Sequence, residues 1–156
     1  VSIIAIGFVL RVLIGGFAAD IWVSQWLVLM TFLIALFLAL TKRNDDFLIY
    51  ELTGNKPRVS ITGYNKEFIS EAIAIVAAIT MVCYIMYTMS EEVISRMGSK
   101  YLYLTSVWVF VGILRYMQKT IVYHESGSPT KSLVNDHFIQ LCILGWILSF
   151  FAIIYL

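Results

Sequence analysis

Apolar residues fall in five long runs, and most of the charged residues lie in the gaps between them. The runs lie near 1–19, 23–41, 68–89, 101–118 and 137–156. A bilayer core is about 30 Å thick and takes about 20 helical residues to cross, so each run is long enough, or nearly so, to span it. Strands that cross a membrane as a barrel alternate apolar and polar positions. An unbroken run such as WLVLMTFLIALFLAL, residues 26–40, does not alternate. The pattern predicts an all-α membrane protein with five transmembrane helices. Residues 1–156 form one transmembrane domain, with connecting loops at 42–67 and 119–136.

Composition agrees: 60% of the residues are hydrophobic and only 13% charged, about half the charged share of soluble domains. The net charge of +1 says little about partners, and nothing in it calls for nucleic acid; the placement of the charges says more. Lys42, Arg43, Lys56, Arg58 and Lys66 lie in or beside the 42–67 loop, and Arg115, Lys119 and Lys131 around the 119–136 loop. Five spans put these two loops on one side. The opposite side has only Arg96 and Lys100, so the cation-rich loops are expected in the cytoplasm and the protein in the cell (inner) membrane. Trp26, Tyr101, Tyr103 and Tyr155 sit near span ends, where aromatic belts form. Cys83 and Cys142 lie in apolar runs without metal-ligand spacing and imply no disulfide. The chain begins at Val1, already inside an apolar run, and reads as a piece of a longer protein.

The second run ends in LALTKRNDDFLIYEL, residues 38–52, where two cations and two anions adjoin. The stretch Asp45 to Leu52 reads as a short amphipathic extension of the second helix. On a continuing helix Lys42 and Arg43 lie four and three residues from Asp46, and Tyr50 follows Asp46 one turn later. A Mg²⁺-diphosphate substrate wants this mixture: carboxylates such as Asp45 and Asp46 for a hard cation, and lysine or arginine for the remaining phosphate charge. The same residues also suit an ordinary positively charged flank whose acids balance its bases.

Arg11, in GFVLRVLIGG, has apolar neighbours on both sides. A charge at membrane depth costs about 2.5–3.5 kcal/mol or more, so it faces a cavity or partner, or reaches the surface along its own stem. Arg115 closes the fourth run as an anchor or a phosphate ligand. Asp136 precedes the last run, where a carboxylate complements the helix dipole. His124 and His137 lack a ligand pattern, and Ser128 and Ser132 lack a base.

The segments GFVLRVLIGG, SQWLVLMTFLIALFLALTKRNDD, KPRVSITGY, YIMYT, LRY and GSPT…ND follow one another in an order that resembles the decaprenyl-phosphate phosphoribosyltransferases of the UbiA superfamily. The resemblance implies a bundle of about nine helices, of which this chain looks like the last five. It makes Lys42, Arg43 and Asp46, with Asp45 beside it, the second of two polar motifs. Asp46 stands where relatives often have Glu. The first, metal-binding motif and the N-terminal half of the fold would precede Val1, so residues 1–156 alone are expected to be inactive.

The implied reaction moves 5-phosphoribosyl from phosphoribosyl diphosphate to a polyprenyl (decaprenyl) phosphate at the membrane, with Mg²⁺ as cofactor. Arg11, Lys42, Arg43, Arg58 and Arg115 would bind substrate phosphates, Asp45 and Asp46 the metal, and Tyr50 and Tyr64 would contact substrate. No catalytic residue is singled out. Two other readings stay open: a UbiA-type prenyltransferase acting on an aromatic acceptor, and a non-catalytic membrane bundle or transporter fragment.

Overall fold

The computed structural model describes residues 1–53, 65–123 and 134–155, and the side chains of 48–53 are outside that description. The elements are α1 (Ser2–Ala18), α2 (Gln25–Thr53), α3 (Lys66–Thr88), α4 (Glu91–Met97), a 3₁₀ turn at Tyr101–Thr105, α5 (Ser106–Ile121) and α6 (His137–Tyr155). There is no strand among the described residues. The all-helical reading therefore holds. Helix α3 is started by Asn65, whose side chain accepts from the Phe68 N–H at 2.7 Å, and Glu67 lies in its positive first turn. Helix α4 stops at Gly98, whose φ of 71° is a left-handed conformation that glycine takes without a Cβ clash.

Three helical segments are long and apolar enough to cross a bilayer: Gln25–Phe47 within α2, Lys66–Thr88 and His137–Tyr155. A fourth crossing counts only if α4 and the Tyr101–Ile121 run form one bent unit, and the bend between them is 99°. The described helices thus supply three spans, or up to four, where the apolar runs predict five. The other two runs are not counted among them. Helix α1 has 17 residues, about 26 Å at the helical rise, a little less than the hydrocarbon core. The run at 101–118 opens with the 3₁₀ turn, so its α-helix begins only at Ser106.

Helix α3 buries Ile69, Ile73, Val76, Ala77, Thr80 and Tyr84, a stripe at helical spacing. Of these, Ile69, Ile73, Val76 and Ala77 meet Leu33, Phe37 and Leu40 of α2, Tyr116 of α5 and Ile139 of α6 in one apolar cluster. Phe37 and Tyr116 join α2 to α5 directly, ring centroids 5.7 Å apart. Helix α6 buries little: Leu141, Leu144, Leu148 and Phe151 are exposed, which lipid tolerates and water does not.

Away from the charged end, hydroxyls tie the bundle together. The Trp146 indole N–H donates to the Tyr84 hydroxyl at 2.7 Å, and that hydroxyl lies 2.9 Å from Thr105 Oγ1. Thr105 gives its own proton to the Leu102 carbonyl at 2.6 Å, which leaves Tyr84 as donor to Thr105. The relay holds α3, the 3₁₀ turn and α6 to one another. Trp108 Nε1 donates to Ser149 Oγ at 2.8 Å and does the same for α5 and α6.

Candidate functional site

Helix α2 does not stop where its apolar run ends but continues to Thr53. The continuation sorts its polar residues by face. Thr41, Asn44 and Asp45, spaced by three and four, turn inward and are buried. Lys42 is exposed, and Arg43 and Asp46 are partly exposed. Arg43 donates through NH1 to Asp46 Oδ2 at 3.1 Å, the expected i,i+3 ion pair. Lys42 makes no ion pair among the described residues. The outward face therefore presents one uncommitted ammonium beside a guanidinium with further N–H groups to give and one carboxylate. Such a surface suits a polyanion better than a neutral ligand.

Helix α5 is the hub of the charged end, and its two faces do different things. Tyr116 and Thr120, one turn apart, face α2, and Asn44 Nδ2 donates to the Thr120 carbonyl at 3.2 Å. Arg115 and Lys119, also one turn apart, face the start of α6. There the buried Asp136 accepts from Arg115 Nε and NH2, each at 3.1 Å, and lies 3.4 Å from Lys119 Nζ. The other Asp136 oxygen accepts from the N–H groups of Phe138 and Ile139 at 3.0 and 3.2 Å, capping α6. Burial opposes the Asp136 charge. The Ile139 N–H, Lys119 and Arg115 outweigh it and hold the carboxyl below the usual carboxylate range. Arg115 NH1 is also engaged, donating to Gln118 Oε1 at 2.9 Å.

The predicted site residues thus divide. Lys42, Arg43, Asp45 and Asp46 share the end of α2, but Asp45 is turned into the bundle and Asp46 out of it. Arg115 is committed to anchoring α6 through Asp136. Arg11 is exposed on α1 with its guanidinium 5.2 Å from the Phe8 ring centre, and it makes no ion pair with the α2 cluster among the described residues. Tyr50 lies on α2 with its side chain outside the described residues, as Arg58 and Tyr64 are altogether. The sequence reading passed over Thr41, Asn44 and Thr120. Their signal was available as polar residues at three- and four-residue spacing inside otherwise apolar helix faces.

No family model matches the chain. It is 29% identical to a decaprenyl-phosphate phosphoribosyltransferase of Mycolicibacterium smegmatis, over 99% of this chain and 50% of that protein. The protein of the same name from Corynebacterium glutamicum is 26% identical over all of this chain and 47% of its own length. The one from Mycobacterium tuberculosis is 24% identical over 94% of this chain and 47% of its own length. The chain spans about half the length of the curated relatives it matches. Along nearly all of its residues the chain is similar, at 24–29% identity, to proteins named decaprenyl-phosphate phosphoribosyltransferase.

Proposed function

We propose that the chain is part of a multi-pass membrane enzyme that transfers 5-phosphoribosyl from phosphoribosyl diphosphate to decaprenyl or a similar polyprenyl phosphate. Its similarity to phosphoribosyltransferases over nearly the whole chain carries this reading. The charged end of α2 supports it. In the reaction the anomeric C–O bond to diphosphate breaks, and an oxygen of the acceptor phosphate bonds to the anomeric carbon. Negative charge grows on the leaving diphosphate, where Lys42 and the remaining donors of Arg43 stabilise it. Holding the acceptor phosphate in line with that carbon supplies much of the remaining acceleration.

Mg²⁺ fits the outward face. Among the described residues no three His, Cys, Asp or Glu side chains gather as a ligand set. This ion, however, commonly takes one or two carboxylates and completes its shell with substrate phosphates and water. Asp46 is the accessible carboxylate for that role. When bound, the ion would neutralise charge on the diphosphate. The fold we propose is the five-span portion of a UbiA-type bundle, with the α2 end in the cytoplasm of a cell whose inner membrane holds the protein. The water-soluble donor and the lipid acceptor meet at such a surface.

The test uses the full-length protein of which this chain is part, reconstituted in lipid with labelled phosphoribosyl diphosphate, a polyprenyl phosphate and Mg²⁺. Label is expected in the lipid phase, and a chelator is expected to prevent it. Folded protein that leaves all label in water would overturn the reading and turn attention to prenyl diphosphates with aromatic acceptors.

A further inference from the structure

The inward face of the same helix end holds a second, separate feature. Asp45 is 9% exposed, Tyr116 6% and Thr120 0%. Asp45 Oδ1, the Tyr116 hydroxyl and Thr120 Oγ1 are fully enclosed and make no aligned hydrogen bond. They stand at one junction: Tyr116 and Thr120 lie one turn apart on the face of α5 that meets α2, and Asn44, next to Asp45, donates to the Thr120 carbonyl. No ion pair reaches Asp45 among the described residues. Arg43, the nearest cation in sequence with a partner, is given to Asp46.

Buried charges in proteins are paired or bind metal ions, because an isolated one is strongly disfavoured in a medium of low dielectric. Three enclosed oxygens, one of them from a carboxylate, have no hydrogen-bond partner, and no cation pairs with that carboxylate among the described residues. We infer that Asp45, Tyr116 and Thr120 form a binding site for one alkali cation, sodium or potassium, between α2 and α5. The donor set is oxygen only, which suits a hard ion. Thr41 extends it, because its hydroxyl proton goes to the Leu38 carbonyl at 2.9 Å and its lone pairs stay available. One carboxylate balances one positive charge. A divalent ion would leave an excess charge in the core, and Mg²⁺ would have to give up waters that it sheds reluctantly. The site is distinct from the outward face, where Asp46 and Arg43 meet solvent.

The position gives the ion a structural consequence. It would tie α2 to α5 beside the Asn44–Thr120 bond, at the point where α2 leaves the apolar core. The measurement is thermal unfolding of the purified full-length protein in lipid nanodiscs, with a divalent chelator and without donor or acceptor. Choline chloride is replaced stepwise by sodium or potassium chloride at constant ionic strength. A saturable rise in Tm with one or both alkali ions, absent in choline, is expected. Tyr116→Phe and Thr120→Val each remove one oxygen and should raise the half-saturating concentration about tenfold, equivalent to about 1.4 kcal/mol. Asp45→Asn should abolish the rise; if it fails to fold, the two hydroxyl variants decide.

A Tm indifferent to the cation overturns the site, as does a rise that both hydroxyl variants retain unchanged. So does a rise that Asp45→Asn protein retains, because the carboxamide has no charge to balance the ion. Because the assay contains no substrate, its outcome is independent of whether phosphoribosyl transfer is found.

Discussion

Asp136 combines two jobs that are usually separate, and substitutions can pull them apart. One oxygen caps α6 and the other gathers Arg115 and Lys119. Asp136→Asn keeps an oxygen for the cap but loses the charge, at a cost of about 1.5–3 kcal/mol for the charge-assisted bonds. Asp136→Ala loses the cap as well, about 1 kcal/mol more. The pH dependence follows from the lowered carboxyl. Its native pKa lies below the unfolded value near 3.9, so the stabilisation is complete above about pH 5. It is lost as pH falls from about 4 through the native value. Unfolding midpoints of parent and Asp136→Asn should therefore converge on acidification, while Asp136→Ala stays lower. A parent–Asn gap that is the same at pH 3 and pH 7 would contradict this role. The sequence showed Asp136 as a helix-start carboxylate, but not its two cationic partners. Those lie across a connection, and their spacing in the chain does not reveal the contact.

Elements were legible in the sequence wherever burial or lipid demanded an unbroken apolar run, and less so where side-chain hydrogen bonds set the backbone. Helices α3 and α6 lie on the runs at 68–89 and 137–156, while α2 continues past its run at 23–41 to Thr53. The run at 101–118 is not one α-helix, because Thr105 is held by Tyr84 in a 3₁₀ turn and α4 meets it at a sharp bend. Removing the Tyr84 hydroxyl tests that account. Tyr84→Phe strands the Trp146 N–H and frees Thr105, and should lower stability by about 1–2 kcal/mol, near the upper range for hydrogen bonds between membrane helices. Circular dichroism should show the helices retained, with faster hydrogen exchange confined to Tyr101–Thr105. Helix α6 approaches α5 at Gly145, where a methyl group would sit 2.8 Å from three Trp108 ring atoms. Gly145→Ala should cost about 1–3 kcal/mol through forced separation of the two helices. A second change, Trp108→Leu, should recover part of it despite losing the bond to Ser149. Additive losses in the double variant would show that the close approach is not what Gly145 provides.

At the scale of the whole molecule, the charged end contains two cation groups with different duties, which the sequence alone placed together as phosphate ligands. Neighbouring residues on a helix point about 100° apart, so which of Asp45 and Asp46 faces inward depends on where α5 packs, and a list of charges does not contain that. Lys42 and Arg43 stand on the outward face of α2, whereas Arg115 is spent on Asp136. The transfer reaction should tell them apart. Lys42→Met removes a cation with no partner among the described residues, so its unfolding midpoint should stay within about 0.5 kcal/mol of the parent. Its KM for phosphoribosyl diphosphate should rise by about 10- to 100-fold, the loss of one charge-assisted phosphate contact. Arg43→Gln should do the same while releasing Asp46. Arg115→Met should show the reverse, an unfolding midpoint lowered with little change in donor KM for the protein that remains folded. Initial rates across a donor titration, with unfolding curves on the same preparations, separate the two patterns. Were Lys42→Met to turn over like the parent, the outward face of α2 would lose its claim on the diphosphate, and Arg11, exposed on α1, would be the next cation to examine.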